Sequence, residues 1–156
     1  MVSNQLICSV LEHVDTFKGC FSLDQLHELR PDYNDFASSY IINTFESSLP
    51  RGGHWLVATF GRKGGHIELF DSLAEKDFIP QPILHFLSKF GKVVFNSQAI
   101  QHPMSDYCGF FCISRVISIY KKQQLGTFIS KFNVDDLFGN DKIVQNNLLF
   151  YLDSLA

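Results

Sequence analysis

The chain has 156 residues, so a single domain over residues 1–156 is the default. It is 46% hydrophobic and carries 16 Phe, which supplies a packed core and excludes a disordered chain. A formal net charge of −3 gives no support to a polyanion binder acting through bulk charge, and the apolar runs fall far short of the roughly 20 residues that a membrane helix needs.

In chain order, residues 4–17 place Leu6, Ile7, Val10, Leu11 and Val14 on one helical face. The opening "MVSNQLICSVLEHVDTF" has no basic start and carries Glu12 and Asp15, so it reads as an amphipathic helix and not as a signal peptide. "SLDQLHEL" offers Ser22 as N-cap with Gln25 three residues on, the pattern of a capping box. "RPDYNDFASSYIINTF" leaves a strand and a short helix both open. "SLPRGG", residues 48–53, is a turn-rich break. "HWLVATF", residues 54–60, and "HIELFD", residues 66–71, flank "GRKGG" and predict a β-hairpin. "QPILHFLSKFG" predicts a helix with Pro82 near its start and Gly91 as its stop. "KVVFN", residues 92–96, predicts a strand. From Cys108 onward Ile113, Val116, Ile117 and Tyr120 follow helical spacing, and "IVQNNLLFYLDSL" predicts a last helix. Helices at both ends around a strand-rich middle make the fold class α+β.

The four cysteines are Cys8, Cys20, Cys108 and Cys112. With no signal peptide read and an apolar core, they are expected as reduced thiols in an intracellular compartment. Cys112 reads as core. Cys108, Cys112, His54 and His66 match no strong zinc spacing, so no metal site is predicted. His66, His85 and His102 read as surface residues.

A hairpin symmetric about Arg62 and Lys63 pairs Ala58 with Ile67, Leu56 with Leu69 and His54 with Asp71. Directly opposite residues have Cβ atoms roughly 4.5–5.5 Å apart, close enough for an imidazole to bond a carboxylate. Such a carboxylate fixes the ring's tautomer and stabilises the imidazolium. Glu68 is the rival acid, but alternation turns it to the other face of the strand. In "QHPMSDYCGFFC", residues 101–112, Cys108 stands where an irregular segment gives way to a helix. Pro103 keeps the preceding backbone extended, and Ser105 or Asp106 is the expected cap. A cysteine at a helix N-terminus feels the positive end of the dipole, which favours a thiolate. Gly109 allows close backbone approach by a substrate. Gln101 offers an amide donor to an oxyanion beside the Cys108 N–H.

With "GGHW", then "LFD" at residues 69–71, then Gln101 seven residues before "CGFFC", the chain resembles the adenovirus-type cysteine endopeptidases (adenain). That family shares a clan with the SUMO- and ubiquitin-like-protein-specific proteases. The order His, acid, Gln, Cys is the clan's, "INTF" and Pro103 fit adenain as well, and the resemblance covers roughly residues 40–120. It implies one cysteine protease domain: a mixed central β-sheet with flanking helices, a circularly reordered papain-like core, and the catalytic cysteine at the N-terminus of a central helix. Carried over by position, it implies Cys108 as nucleophile, His54 as general base, Asp71 as orienting acid and Gln101 as oxyanion donor, with Trp55 and Gly109 shaping the substrate site. It further implies an endopeptidase cutting viral or virus-like capsid and core precursors at glycine-containing sites in the host nucleus or virion; the sequence itself calls for no cofactor, and a monomer is expected. Two departures stand out. Adenain usually has Glu where this chain has Asp71, which is the SUMO-protease choice. The activating viral peptide, tethered through a disulfide in the human viruses, has no matching cysteine near Phe90. Peptide and DNA activation are therefore expectations of the family alone. The alternatives are a protease of host ubiquitin-like modifiers, an inactive binding module of the same fold, and an acyl transferase using acetyl-CoA.

Overall fold

The β-branched and aromatic segments of the chain meet in one five-stranded sheet, described here from a computed structural model over residues 2–33, 37–49, 53–61 and 64–156. The strands are β1 (Phe17–Phe21), β2 (Ser38–Asn43), β3 (Trp55–Phe60), β4 (Ile67–Phe70) and β5 (Val93–Phe95). They lie side by side in sequence order. The outer pairs β1–β2 and β4–β5 are parallel, and the inner pairs are antiparallel. The helices are α1 (Asn4–Leu11), α2 (Gln81–Ser88), α3 (Cys108–Tyr120), α4 (Leu125–Ile129) and α5 (Leu137–Leu155). No described helix is long and apolar enough to cross a membrane.

Every residue of β2 is buried, because both faces of the sheet are covered. On one face Ile41, Val57 and Phe70 pack against Phe111, Cys112, Ile113 and Val116 of α3. On the other, Ile42, Leu56, Ala58 and Leu69 pack against Ile83 and Leu87 of α2 and Leu26 of a 3₁₀ turn. Fully burying one such aliphatic side chain is worth about 1.5–3 kcal/mol. Ten of the 13 residues of α3 are buried, so it is the central helix of the core. That position brings its first residue, Cys108, to the end of the sheet where β3 begins and β4 ends.

Several expectations change on folding. The first helix stops at Leu11. The chain then turns through bonds from Val14 N–H to Leu11 and from Phe17 N–H to Val14, and enters β1. "FKGCF" carries no strand pattern; its parallel pairing with β2 makes it a strand. The Gln25 side chain accepts from Ser22 N–H at 3.0 Å, as a capping box requires, but the segment is the 3₁₀ turn Leu23–Glu28 and not an α-helix. The ambiguous stretch 30–45 yields β2; its residues 34–36 lie outside the described residues. The tips of the two predicted turns, residues 50–52 and 62–63, also lie outside them.

The hairpin register differs from the symmetric one. Phe60 pairs with Ile67, Ala58 with Leu69 and Val57 with Phe70. Gly64, at φ +82°, and Gly65 belong to the turn, so pairing starts two residues later than a turn symmetric about Arg62 and Lys63 allows. His54 is therefore not directly opposite Asp71. A two-residue slip preserves the faces, so His54 and Asp71 remain on the same side as diagonal neighbours. The cap of α3 also shifts: the N-cap position is Tyr107, whose side chain makes no cap bond. Ser105 Oγ instead accepts from Tyr107 N–H at 3.2 Å and donates to Asp141 of α5 at 3.0 Å.

Candidate functional site

The backbone at His54 is gripped from β2. Thr44 Oγ1 accepts from His54 N–H at 2.8 Å, and Thr44 N–H donates to the His54 carbonyl at 3.0 Å. Gly53, just before, has φ +82°, and a Cβ there would lie 1.9 Å from Asn43 Oδ1. That oxygen accepts from Phe45 N–H at 2.8 Å. Residues 43–45 and 53–55 thus form one device that extends the β2–β3 ladder and presents the imidazole at its end. Thr44 and Asn43 were visible in the sequence only as part of "INTF", with no role attached.

The imidazole stands between two groups. Nε2 lies 2.5 Å from Asp71 Oδ1, and Cys108 is near enough to act on the ring's pKa. Since Nε2 is engaged by Asp71, Nδ1 is the atom left for a thiol. Burial alone would lower the imidazole's pKa, but the bond to Asp71, the nearness of the Cys108 thiol and then the charges of both raise it to about 9. Burial likewise favours a protonated Asp71, yet the His54 bond and charge outweigh it, with help from two backbone donors, and hold the carboxyl below its ordinary value. Those donors are Leu73 N–H at 2.9 Å and Glu75 N–H at 3.0 Å. Asn96 clamps the acid's backbone from both sides, accepting from Asp71 N–H at 2.8 Å and donating to its carbonyl at 2.7 Å. The pair is built to exist as imidazolium and carboxylate near neutral pH.

Gln101 is buried, and its Nε2 donates to the Ser105 carbonyl at 2.8 Å while its Oε1 accepts from Ser72 at 2.5 Å. As the first residue of α3, Cys108 has an N–H with no intrahelical acceptor. Trp55 is buried beside His54, and its Nε1 donates to the Val2 carbonyl at 3.1 Å. A Cβ on Gly109 would lie 2.8 Å from Val2 Cβ and 3.3 Å from the Trp55 ring. The close approach at Gly109 is thus taken up by the chain's own Val2 and Trp55. Glu68 turns away from His54, as alternation requires, and pairs with Arg115 at 2.8 Å. A small cavity of about 110 Å³ opens beside the His54–Asp71 pair, lined by Thr44, Leu56, Leu73 and Phe78 among others. All four cysteines are free, and burial pushes the Cys112 thiol up. No cluster of three metal-binding side chains occurs among the described residues.

No protein-family model and no curated protein matches this chain. Solved structures do match in fold. The ASFV pS273R protease superposes with a TM-score of 0.63 at 15% identity, over 88% of this chain and 64% of that one. AvrA, solved with IP6 and CoA, gives 0.54 at 19% identity, over 76% of this chain and 48% of that one. The SUMO protease Ulp1, with its catalytic cysteine oxidised to a sulfinic acid, gives 0.52 at 12% identity, over 99% and 79%. The chain therefore spans less than two thirds of the first two proteins. The α+β fold of this chain, a mixed five-stranded sheet with flanking helices, matches the fold of the ASFV pS273R protease and of the SUMO protease Ulp1.

Proposed function

We propose that the chain is a cysteine protease of the fold class that includes the viral and SUMO proteases, with Cys108 as nucleophile, His54 as its base, Asp71 as the orienting acid and Gln101 as oxyanion donor. The observation that carries this reading is the imidazole bonded to a buried carboxylate, with Cys108, the first residue of α3, near enough to raise its pKa. The thiolate adds to a peptide carbonyl, and the resulting oxyanion lies between the Gln101 amide and the Cys108 N–H. The intermediate collapses as the C–N bond breaks and His54 gives its proton to the leaving amine. Water, deprotonated by the same imidazole, then adds to the thioester and releases the acid and the thiol. Trp55 and Gly109 form part of the wall next to this centre.

The finer reading is an adenain-type endopeptidase that matures viral or virus-like structural precursors at glycine-containing sites. It rests on the run of motifs from "INTF" to "CGFFC". Host nucleus and virion as its place of action, a monomeric state, and activation by a viral peptide or DNA belong to the same proposal.

The test is alkylation by iodoacetamide across pH 4–9, read by mass spectrometry at each cysteine, in the wild type and in His54→Ala. Fast labelling of Cys108 that the His54 change slows is the expected result. Labelling of Cys108 no faster than exposed Cys8, with and without candidate peptides and DNA, would overturn the reading. Glycine-containing peptides, a ubiquitin-family probe and acetyl-CoA with an amine acceptor then separate viral maturation, modifier cleavage and acyl transfer.

A further inference from the structure

β4 runs into two consecutive polar residues that reach different parts of the site. Asp71 takes the imidazole. Ser72, fully buried, takes Gln101. Its hydroxyl meets Gln101 Oε1 at 2.5 Å, and its carbonyl accepts from the backbone N–H groups of Ile100 at 2.9 Å and Gln101 at 3.0 Å. Side chain and main chain of Gln101 are therefore both held by one residue.

A carboxamide can be placed either way round, and its surroundings decide which. The Ser105 carbonyl can only accept, so the amide end 2.8 Å from it is Nε2. The other end is then Oε1, an acceptor, and the Ser72 hydroxyl must be the donor. Nε2 carries two N–H groups. One is bonded to the Ser105 carbonyl, and the second makes no hydrogen bond among the described residues. Fixed donors stabilise a developing oxyanion because they need not reorganise when charge appears.

We propose that Ser72 is a positioning residue: it locks the Gln101 carboxamide so that its second Nε2–H faces the oxyanion formed at Cys108. This rests on the cysteine-protease reading. Asp71 and Ser72 then orient the base and the oxyanion donor from adjacent positions, so one strand end sets both halves of the reaction.

Two reactions of Cys108 separate this role from a merely structural one. Hydrolysis of 4-nitrophenyl acetate passes through a tetrahedral oxyanion; displacement of iodide from iodoacetamide does not. Ser72→Ala should lose roughly 10–100-fold in ester turnover, with the rate and pH profile of Cys108 alkylation unchanged. In a Gln101→Ala background the same change should cost nothing further, because its effect runs through that amide. Equal losses in both reactions, an undiminished loss without Gln101, or unchanged ester turnover would each overturn the role. A wild-type Cys108 inert to both reagents, with and without the candidate peptides and DNA, would instead overturn the protease reading, and the role with it. The wild-type chain offers a second measurement that needs no Ser72 variant. Adduct formation with a peptide glycinal should shift one Gln101 side-chain amide proton in the NMR spectrum and leave the other in place. Two unmoved protons would overturn the role.

Discussion

Arg115 and His54 each meet a carboxylate from the β4 region, Glu68 on one face of the sheet and Asp71 at its end. Arg115 is enclosed. Nη2 and Nε bond Glu68 at 2.8 and 3.3 Å, and Nη1 bonds Ser118 Oγ at 3.0 Å and the Gln123 carbonyl at 3.1 Å. Its guanidinium also lies 5.5 Å from the centre of the Phe128 ring. The His54 side chain keeps 21% of its surface exposed, against 3% for Arg115, and has a thiol near enough to raise its pKa. A guanidinium never gives up its proton, so the first pair can only hold α3 to the sheet. An imidazole does, so the second can move protons. Similar ion-pair geometry thus supports structure in one place and, on the proposed reading, chemistry in the other, and the titrating group makes the difference.

The sharpest break in that comparison is His54→Ala. It should cut hydrolysis of any accepted substrate by about 10⁴-fold or more, with far-UV ellipticity unchanged. Asp71→Asn comes next. The Asn96 clamp on the backbone survives, and the single amide oxygen can still accept from one of the Leu73 and Glu75 N–H groups, but the charge that stabilises the imidazolium is gone, and turnover should fall about 10⁴-fold. A fall in thermal stability large enough to explain that loss would instead make Asp71 a structural residue like Glu68.

Arg115→Met tests the other side. It leaves the half-buried Glu68 without its cation, and denaturant melts should show a loss of about 2–3 kcal/mol. Cys108 alkylation in the remaining folded protein should keep its wild-type rate. If that rate fell as steeply as in His54→Ala, the two pairs would be one network.

A smaller effect separates the pairs by pH. The imidazole's pKa is raised from 6.5 to about 9 in the folded chain, so its contribution is full below about 6.5 and is lost as pH rises through 9. The lowered Asp71 carboxyl contributes above its ordinary value near 3.8, and that contribution is lost as pH falls through its folded value. The margin in melting temperature between wild type and His54→Ala should therefore be widest between about pH 4 and 6.5 and shrink toward pH 9. The margin against Arg115→Met should stay flat from pH 6.5 to 9, because the guanidinium does not titrate. Two margins that shrink together would erase the distinction.

The sequence by itself carried the fold class, the strands at 55–60, 67–70 and 93–95, the helix that opens at Cys108 and the side of the sheet each acid faces. These are properties of periodicity, and periodicity survives even a two-residue slip in register, which is why Glu68 turned away from His54 despite the wrong pairing. "FKGCF" is a strand only because β2 lies beside it. The register turns on the two glycines after Lys63. The clamp of Asn96 on Asp71, of Thr44 on His54 and of Ser72 on Gln101 joins residues 25, 10 and 29 positions apart, each through a pair of hydrogen bonds, buried or partly so. Such bonds leave no period and no spacing in a chain. They exist only once the sheet has brought its ends together, and so the tertiary structure alone decided which polar residues hold the candidate site in place.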